Sequence, residues 1–484
     1  MKFLNNYSKL FCFVQLLSLL VFVLPGMAGD DVQSSIMLEE KQWTGDLDQL
    51  AEKGAIRILV PVSNPDFFID GFRKYGNTPA LVKEFQKYLN KHIAADSYVR
   101  AIIVPAGRST IMDRLCAGYG DLVVANLTIT EERLKKVDFA APMYTGINEI
   151  IVAAPGSPVL RSLEDLSGKT VSTRLFTSYH EHLLRLNKQF KAQGLAPVII
   201  KEVADELEDD ALLAMVNEGL AAYMVLDQRK MELWHTVYDK AVSYSDIAID
   251  TAGKVAWVLR KNSPQLKNLV SNFSRGRQNA PVDMEALRES TEKEFIRLSN
   301  LENENIQRFV ELYPIFVKVG SEYNISPLVL AALAFERSGF VEEKLSSNGE
   351  QGIMQLAPFI EREMSTGVTV EDGLDELELH ITLATKYLAY LRDDKFRDLA
   401  GDPKQQLFFA VAAYLNGPAK INEMRWITAK MGKNGNKWFN EVNVTVSRLI
   451  GRETVRTIRN IALYWVSYAM AIDSGKIVLS GDAQ

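Results

Sequence analysis

The chain has 484 residues, enough for two or three domains, with 47% hydrophobic and 24% charged residues and a net charge of −6. That is ordinary globular composition, which excludes disordered and collagen-like classes, and its mildly acidic balance gives no support to nucleic-acid binding through net charge. The five histidines have no cysteine or histidine cluster around them, and no glycine-rich phosphate loop is present, so neither a metal nor a cofactor is expected.

In chain order, the N-terminus has Lys2 and Lys9, an apolar run Leu10–Leu24, then Pro25 and small residues up to Ala28–Gly29. Basic, apolar, cleavable is the order of a secretory signal, expected over residues 1–28. The run is short for a membrane span of roughly 20 residues; an uncleaved anchor is the alternative. Cys12 lies inside the run without the small residues that a lipoprotein signal places before its cysteine. Cys116, in "DRLCAGYGD", reads as a small core residue, and without the leader it has no disulfide partner.

From Ala55 strands and helices alternate. "AIRILVPV" reads as a strand and "NTPALVKEFQKYLNKHI" as a helix burying Leu81, Phe85 and Leu89. "YVRAIIVPA" is a strand, "RSTIMDRLCAGYG" a helix ending at glycine, and "DLVVANLTI" a strand. The pattern returns through "INEIIVAAPGS", "SLEDLSGKTVSTR", "ALLAMVNEGLAAYMVLD" and "VAWVLRKNSPQL". Such alternation predicts two α/β lobes with parallel strands.

"DLVVANLTITEERLKKVDFAAPMY" resembles the signature of the family 3 periplasmic solute-binding proteins, with "SLEDLSGKTV" and "AAYMVLD" at matching places in a second lobe. The resemblance covers about 55–262 and implies an amino acid or related small solute as ligand. By the family pattern, Arg133 pairs with a ligand carboxylate, which suits the fixed donors of a guanidinium. Thr128 donates a hydroxyl, Asp227 holds the ligand ammonium, and Arg174 and Ser178 take the remaining second-lobe positions. "RLFTSY" lacks the glycines usual in that loop.

The stretch 263–300 is rich in charge and reads as a partly helical linker. Beyond it, over 301–478, every periodic segment is helical. Ser326 can cap a helix whose first position is Pro327, and Gly339 can close it. "NGEQGIMQLAP", "HITLATKYLAYLRDDKF", "AAYLNGPAKI", "NKWF" and "GRETVRTIRNI" follow in order. This half resembles the lysozyme-like domain of soluble-type lytic transglycosylases. The whole order resembles the membrane-bound lytic murein transglycosylase F family. The fold implied is a two-lobed α/β periplasmic-binding-protein domain followed by a mostly α lysozyme-like domain.

That family cleaves peptidoglycan glycan with one Glu at the end of a buried helix. Desolvation and the negative helix end raise such a carboxyl's pKa, so that it can hold a proton near neutrality. Aligning Ser338, Gly349, Gly352, Met354 and Gln355 without a gap puts Arg337 at the catalytic position and Glu336 one residue early. One residue along a helix turns a side chain by about 100°, and a guanidinium cannot donate a proton at physiological pH. Leu415 stands where the family has Asn, with Asn416 one later, and Thr457 stands where it usually has Tyr.

The resemblance therefore implies a periplasmic, peptidoglycan-associated protein with cleavage lost. Gln355, Met354, Tyr414 and Asn416 would line a glycan groove; core packing is the rival reading for Met354 and Tyr414. An amino acid or muropeptide would occupy the α/β cleft, and attachment would be peripheral, at the outer membrane. The alternatives are an active transglycosylase using Glu336 as acid/base, forming 1,6-anhydro products at the MurNAc–GlcNAc bond, and a solute receptor with an unrelated helical tail.

Overall fold

The computed structural model describes residues 42–479 apart from 64–65, 72, 95–96, 204–206, 281–301, 347–348 and 367–374. The expected leader lies outside the described residues.

The first lobe opens with helix α1 (Leu47–Lys53), which Gly54 closes in the left-handed region, and strand β1 (Ala55–Val60). Within β1, Arg57 is a buried cation. Asp121 answers it, taking its Nη2 at 3.0 Å, its Nε at 3.1 Å and its backbone N–H at 2.8 Å. A short hairpin, β2 (Phe68–Asp70) and β3 (Arg73–Tyr75), leads to helix α2 (Thr78–His92). Pro79 starts that helix, and its inward face is Val82, Phe85 and Leu89; the expected Leu81 is only half-buried. Strand β4 (Arg100–Pro105), helix α3 (Ile111–Cys116), strand β5 (Leu122–Thr128), helix α4 (Glu131–Lys136) and strand β6 (Asp138–Phe139) complete this part. Cys116 corrects a sequence expectation. Helix α3 turns Ile111 and Leu115 inward, which leaves the neighbouring thiol exposed.

Strand β7 (Tyr144–Ala153) crosses to the second lobe, which holds β8 (Thr170–Arg174), α5 (Ser178–Ala192), β9 (Ile199–Val203), α6 (Asp209–Asn217), β10 (Tyr223–Asp227) and α7 (Gln228–Trp234). The chain returns through β11 (Val242–Leu259), 18 residues long. One sheet runs β4-β1-β5-β11-β7-β10-β8-β9, with β6 also on β11. The strands are not all parallel as expected: β7 and β11 pair antiparallel with each other, and these two crossing strands join the lobes.

Helix α8 (Pro264–Gly276) falls in the stretch expected as a linker, yet it belongs to the first lobe. Its Phe273 ring lies 5.2 Å from Phe85 and 5.4 Å from Trp257, and Leu266 and Val270 are fully buried beside them. Aromatic contacts of this kind contribute about 0.5–1.5 kcal/mol beyond area burial.

From 303 onward the described chain is helical: α9 (Asn303–Tyr323), α10 (Pro327–Ser338), α11 (Pro358–Met364), α12 (Glu376–Tyr390), α13 (Pro403–Asn416), α14 (Pro418–Lys430), α15 (Asn443–Leu449) and α16 (Arg452–Asp473). Helix α10 is apolar on every face from Val329 to Phe335, so it runs through the centre. The turn from α9 into α10 depends on Gly320, where an added Cβ would sit 2.5 Å from the Ile325 carbonyl oxygen. Phe309 of α9 stacks on Tyr468 of α16 at 4.3 Å.

One apolar cluster runs from the second lobe (Ile150, Leu212, Leu226, Trp234) into the helical half (Phe309, Leu330, Phe409, Tyr468). The first lobe meets the helical half through a smaller seam, in which Val444 of α15 packs into the first lobe's own core and Arg452 lies 3.7 Å over the Phe68 ring, and polar contacts complete it. Gly71 N–H donates to the Ser447 carbonyl at 2.9 Å, Arg452 N–H to Asp70 at 3.0 Å, and Lys433 Nζ to the Pro105 carbonyl at 2.9 Å.

Candidate functional sites

The five residues singled out in the α/β half, Thr128, Arg133, Arg174, Ser178 and Asp227, line one cavity of about 550 Å³ between the lobes. Strand ends and helix starts put them there. Thr130 caps α4, its hydroxyl accepting from Arg133 N–H, which fixes Arg133 in the first turn beside the end of β5. Thr177 caps α5 in the same way and presents Ser178. Asp227 ends β10 and caps α7.

The cleft is closed upon itself. Arg133, only 4% exposed, donates from Nε to Glu181 of the opposite lobe at 3.0 Å and from Nη1 to the Thr128 carbonyl at 3.0 Å. Burial lowers its pKa and Glu181 works against that. Ser178 donates across the cleft to the Thr128 hydroxyl at 3.2 Å. Arg174 holds Glu208 at 2.9 Å and Asp209 at 2.9 Å. Burial opposes the charges of Arg174 and Asp209, but the pairing outweighs it: Arg174 is raised, and Asp209, also met by Lys230, is lowered. Glu208 in turn accepts from Ser63 of the first lobe at 3.2 Å. Asp227 accepts from the backbone N–H of Arg229 at 2.8 Å and from its Nη2 at 3.4 Å. So the structure gathers all five residues, and it fills Arg133, Arg174 and Asp227 with internal partners. The sequence reading missed Glu181. Only its place in the first turn of a capped helix after the "RLFTSY" loop hinted at it.

In the helical half the decisive pair sits at the end of α10. Gly339 closes the helix in the left-handed region, donating to the Phe335 carbonyl. Glu336 and Arg337 then diverge, as the helical turn requires. Both oxygens of Glu336 accept from Asn460 Nδ2 of α16, each at 3.3 Å. Burial lifts its pKa from 4.5 to about 7, against the hydrogen bonds from Asn460 and Thr457 and the charges of Arg456 and Arg337. Arg337 turns to the other side and pairs with Glu350, Nη2 to Oε2 at 2.5 Å. Its charge is felt at Tyr414 of α13.

The motif around Glu350 is a tight scaffold. Gly352 has φ +73°, and a Cβ there would lie 2.6 Å from the His380 ring; Gln355 has φ +49°. Gln355 is 2% exposed, and its Nε2 donates to the carbonyls of Lys344 at 2.7 Å and Gly352 at 2.8 Å. Met354 is fully buried. That corrects its reading as a groove residue; it packs in the core because the turn points it at the centre. Tyr414, 8% exposed, donates its hydroxyl to the Met354 carbonyl at 3.0 Å. Asn416 is half-buried and donates to the Thr454 hydroxyl at 3.1 Å. Glu350 and Asn460 were not read from the sequence, though an acid thirteen positions after Arg337, between the two motif glycines, was the available signal.

The profile of the bacterial extracellular solute-binding proteins, family 3, matches residues 76–460. The membrane-bound lytic murein transglycosylase F of Desulfosudis oleivorans is 24% identical over 445 residues, covering 86% of this chain and 90% of its own. The protein of the same name from Saccharophagus degradans is 26% identical over 452 residues, covering 90% and 82%. Among solved structures, an ancestral arginine-binding protein bound to arginine is 23% identical, with a TM-score of 0.38, covering 50% of this chain and 99% of its own.

Proposed function

The chain belongs to the bacterial extracellular solute-binding proteins of family 3, and from that membership we propose a periplasmic binding protein that works at peptidoglycan without cutting it. Its α/β cleft takes an amino acid or muropeptide, and its helical half engages glycan strands as a lysozyme-like domain with a degenerate catalytic motif. The relatives, named as membrane-bound murein transglycosylases and similar over most of both chains, support peptidoglycan as the partner. Among the described residues no helix is long and apolar enough to cross a membrane. Export by the leader and peripheral attachment at the outer membrane complete the reading.

The observation that carries loss of cleavage is the Arg337–Glu350 ion pair, at 2.5 Å, at the position where the resemblance expects the acid. Glycosidic cleavage starts with a proton delivered to the leaving oxygen. A guanidinium has no proton to give near neutral pH, and the Glu350 carboxyl is occupied in pairing with it. Leu415 removes a polar group that the family supplies, and Thr457 puts a short hydroxyl, bonded to Glu336, where the family has a phenol.

A second reading rests on Glu336, whose pKa of about 7 is that of a general acid. In that reading Glu336 cleaves from one residue earlier on the helix, steadied by Asn460. One experiment separates the two. Purified full chain is incubated with peptidoglycan sacculi, and the soluble fraction is analysed for 1,6-anhydro muropeptides while the pellet is analysed for bound protein. Co-sedimentation without release is expected. Release that disappears in Glu336→Gln would establish the enzyme instead, and failure to sediment would remove the glycan-binding claim.

A further inference from the structure

The cleft's family-pattern ion-pairing residues are taken, and two further charged side chains on its wall each keep one buried polar atom without a partner. Arg133 is filled by Glu181, and Asp227 by Arg229. Arg108, in the loop between β4 and α3, lines the same cavity. Its only hydrogen bond to the described residues runs from Nη1 to the Ala125 carbonyl at 3.4 Å, and its Nε is buried with no partner. Glu149, on the crossing strand β7, also lines the cavity and is 2% exposed. His182 Nδ1 lies 2.6 Å from its Oε2, and Oε1 is buried with no partner.

A charged oxygen or guanidinium nitrogen held out of water without a partner is costly. The two groups have opposite sign, and both are close enough to Arg133 to act on its charge. Glu149 is also the register partner of Asp227 across β7 and β10, so their side chains share one face of the sheet. The family-pattern acid and the acid with one open oxygen therefore stand side by side on neighbouring strands.

We propose that Arg108 and Glu149 are the ligand-recognising pair of this cleft: Arg108 receives a carboxylate and Glu149 a cationic nitrogen of one small zwitterionic ligand, an amino acid or short peptide. This rests on the reading of the cleft as a ligand site and moves recognition away from Arg133 and Asp227. The Arg133–Glu181 pair then holds the lobes together, in the place where a ligand carboxylate would otherwise sit.

The test is calorimetric titration of the full chain with the standard L-amino acids and alanine dipeptides. The tightest probe is then compared with its C-terminal amide, which lacks the anion, and its Nα-acetyl derivative, which lacks the cation. In the wild type each derivative binds at least about tenfold more weakly, the scale of one charge-assisted hydrogen bond. In Arg108→Gln the parent and the amide bind within about twofold of each other; in Glu149→Gln the parent and the acetyl derivative do. A variant that only loosened the fold would weaken all three probes together. Circular dichroism reports folding, and should Glu149→Gln not fold, Glu149→Asp weakens the parent while leaving the acetyl derivative unchanged. If the amide stays tenfold weaker than the parent in Arg108→Gln, the pair is wrong while the cleft remains the ligand site. If the wild type binds no probe, both readings fall.

Discussion

Replacing Glu336 by Gln tests the physical state of the one acid at the end of α10. The substitution keeps the side chain's shape and an acceptor for Asn460, and it removes a charge that burial resists. Burial moves the carboxyl from 4.5 to about 7. The folded chain therefore holds this proton more tightly than the unfolded chain. The associated stability is fully present below 4.5 and is lost as the pH climbs through about 7. At about 1.4 kcal/mol per pKa unit the full loss is roughly 3 kcal/mol. Glu336 is only half-buried, so solvent screening trims this to about 2 kcal/mol. Urea unfolding followed by tryptophan fluorescence, at about pH 4 and about pH 8, reads it. The two proteins should be nearly matched in acid, and the variant should be more stable by about 2 kcal/mol in base. A gap that is the same at both pH values would refute the argument, since only an ionising group produces the difference.

The Arg337–Glu350 pair, with side chains 20% and 23% exposed, should show a coupling of about 1–2 kcal/mol in a double-mutant cycle with Arg337→Gln and Glu350→Gln, falling in molar salt. A coupling near zero would mean that the two charges do not hold each other. Gly352→Ala meets both a φ of +73° and the His380 ring 2.6 Å away, whereas Gly349→Ala meets a φ of +79° and open space. Denaturant melts should give about 2–4 kcal/mol of destabilisation for the first and about 1 kcal/mol for the second; equal losses would show that the ring contact is irrelevant.

Much of the fold was legible because burial writes itself into periodicity. The strands around Ile58, Val104 and Val124 are apolar runs, and α10 is apolar all round. Direction was not legible: nothing in "INEIIVAAPGS" says that its neighbour runs antiparallel. The hinge end of β11 alternates exposed and half-buried positions, so only its last residues read as a strand. Helix α8 was read as linker because its charge hides a narrow apolar stripe of Leu266, Leu269, Val270 and Phe273. At the sites, the five cleft residues were found because a local signature carries them. Glu181 and Asn460 were not, because their partners are 48 and 124 residues away in sequence and only the folded chain brings them together. Arg108 and Glu149 stand out because one buried atom of each has no partner, and such an atom leaves no trace in a sequence.

The uneven seams between the three bodies decide which of them can part. Separating the second lobe from the helices would expose a continuous oily surface to solvent, a penalty proportional to area. Separating the first lobe uncovers much less, chiefly Val444, and otherwise exchanges a few amide and ammonium contacts, such as Gly71 to Ser447 and Lys433 to Pro105, for water. Admitting a guest to the cavity should therefore lift the first lobe like a lid on the two crossing strands, while the rest of the molecule stays put as its box.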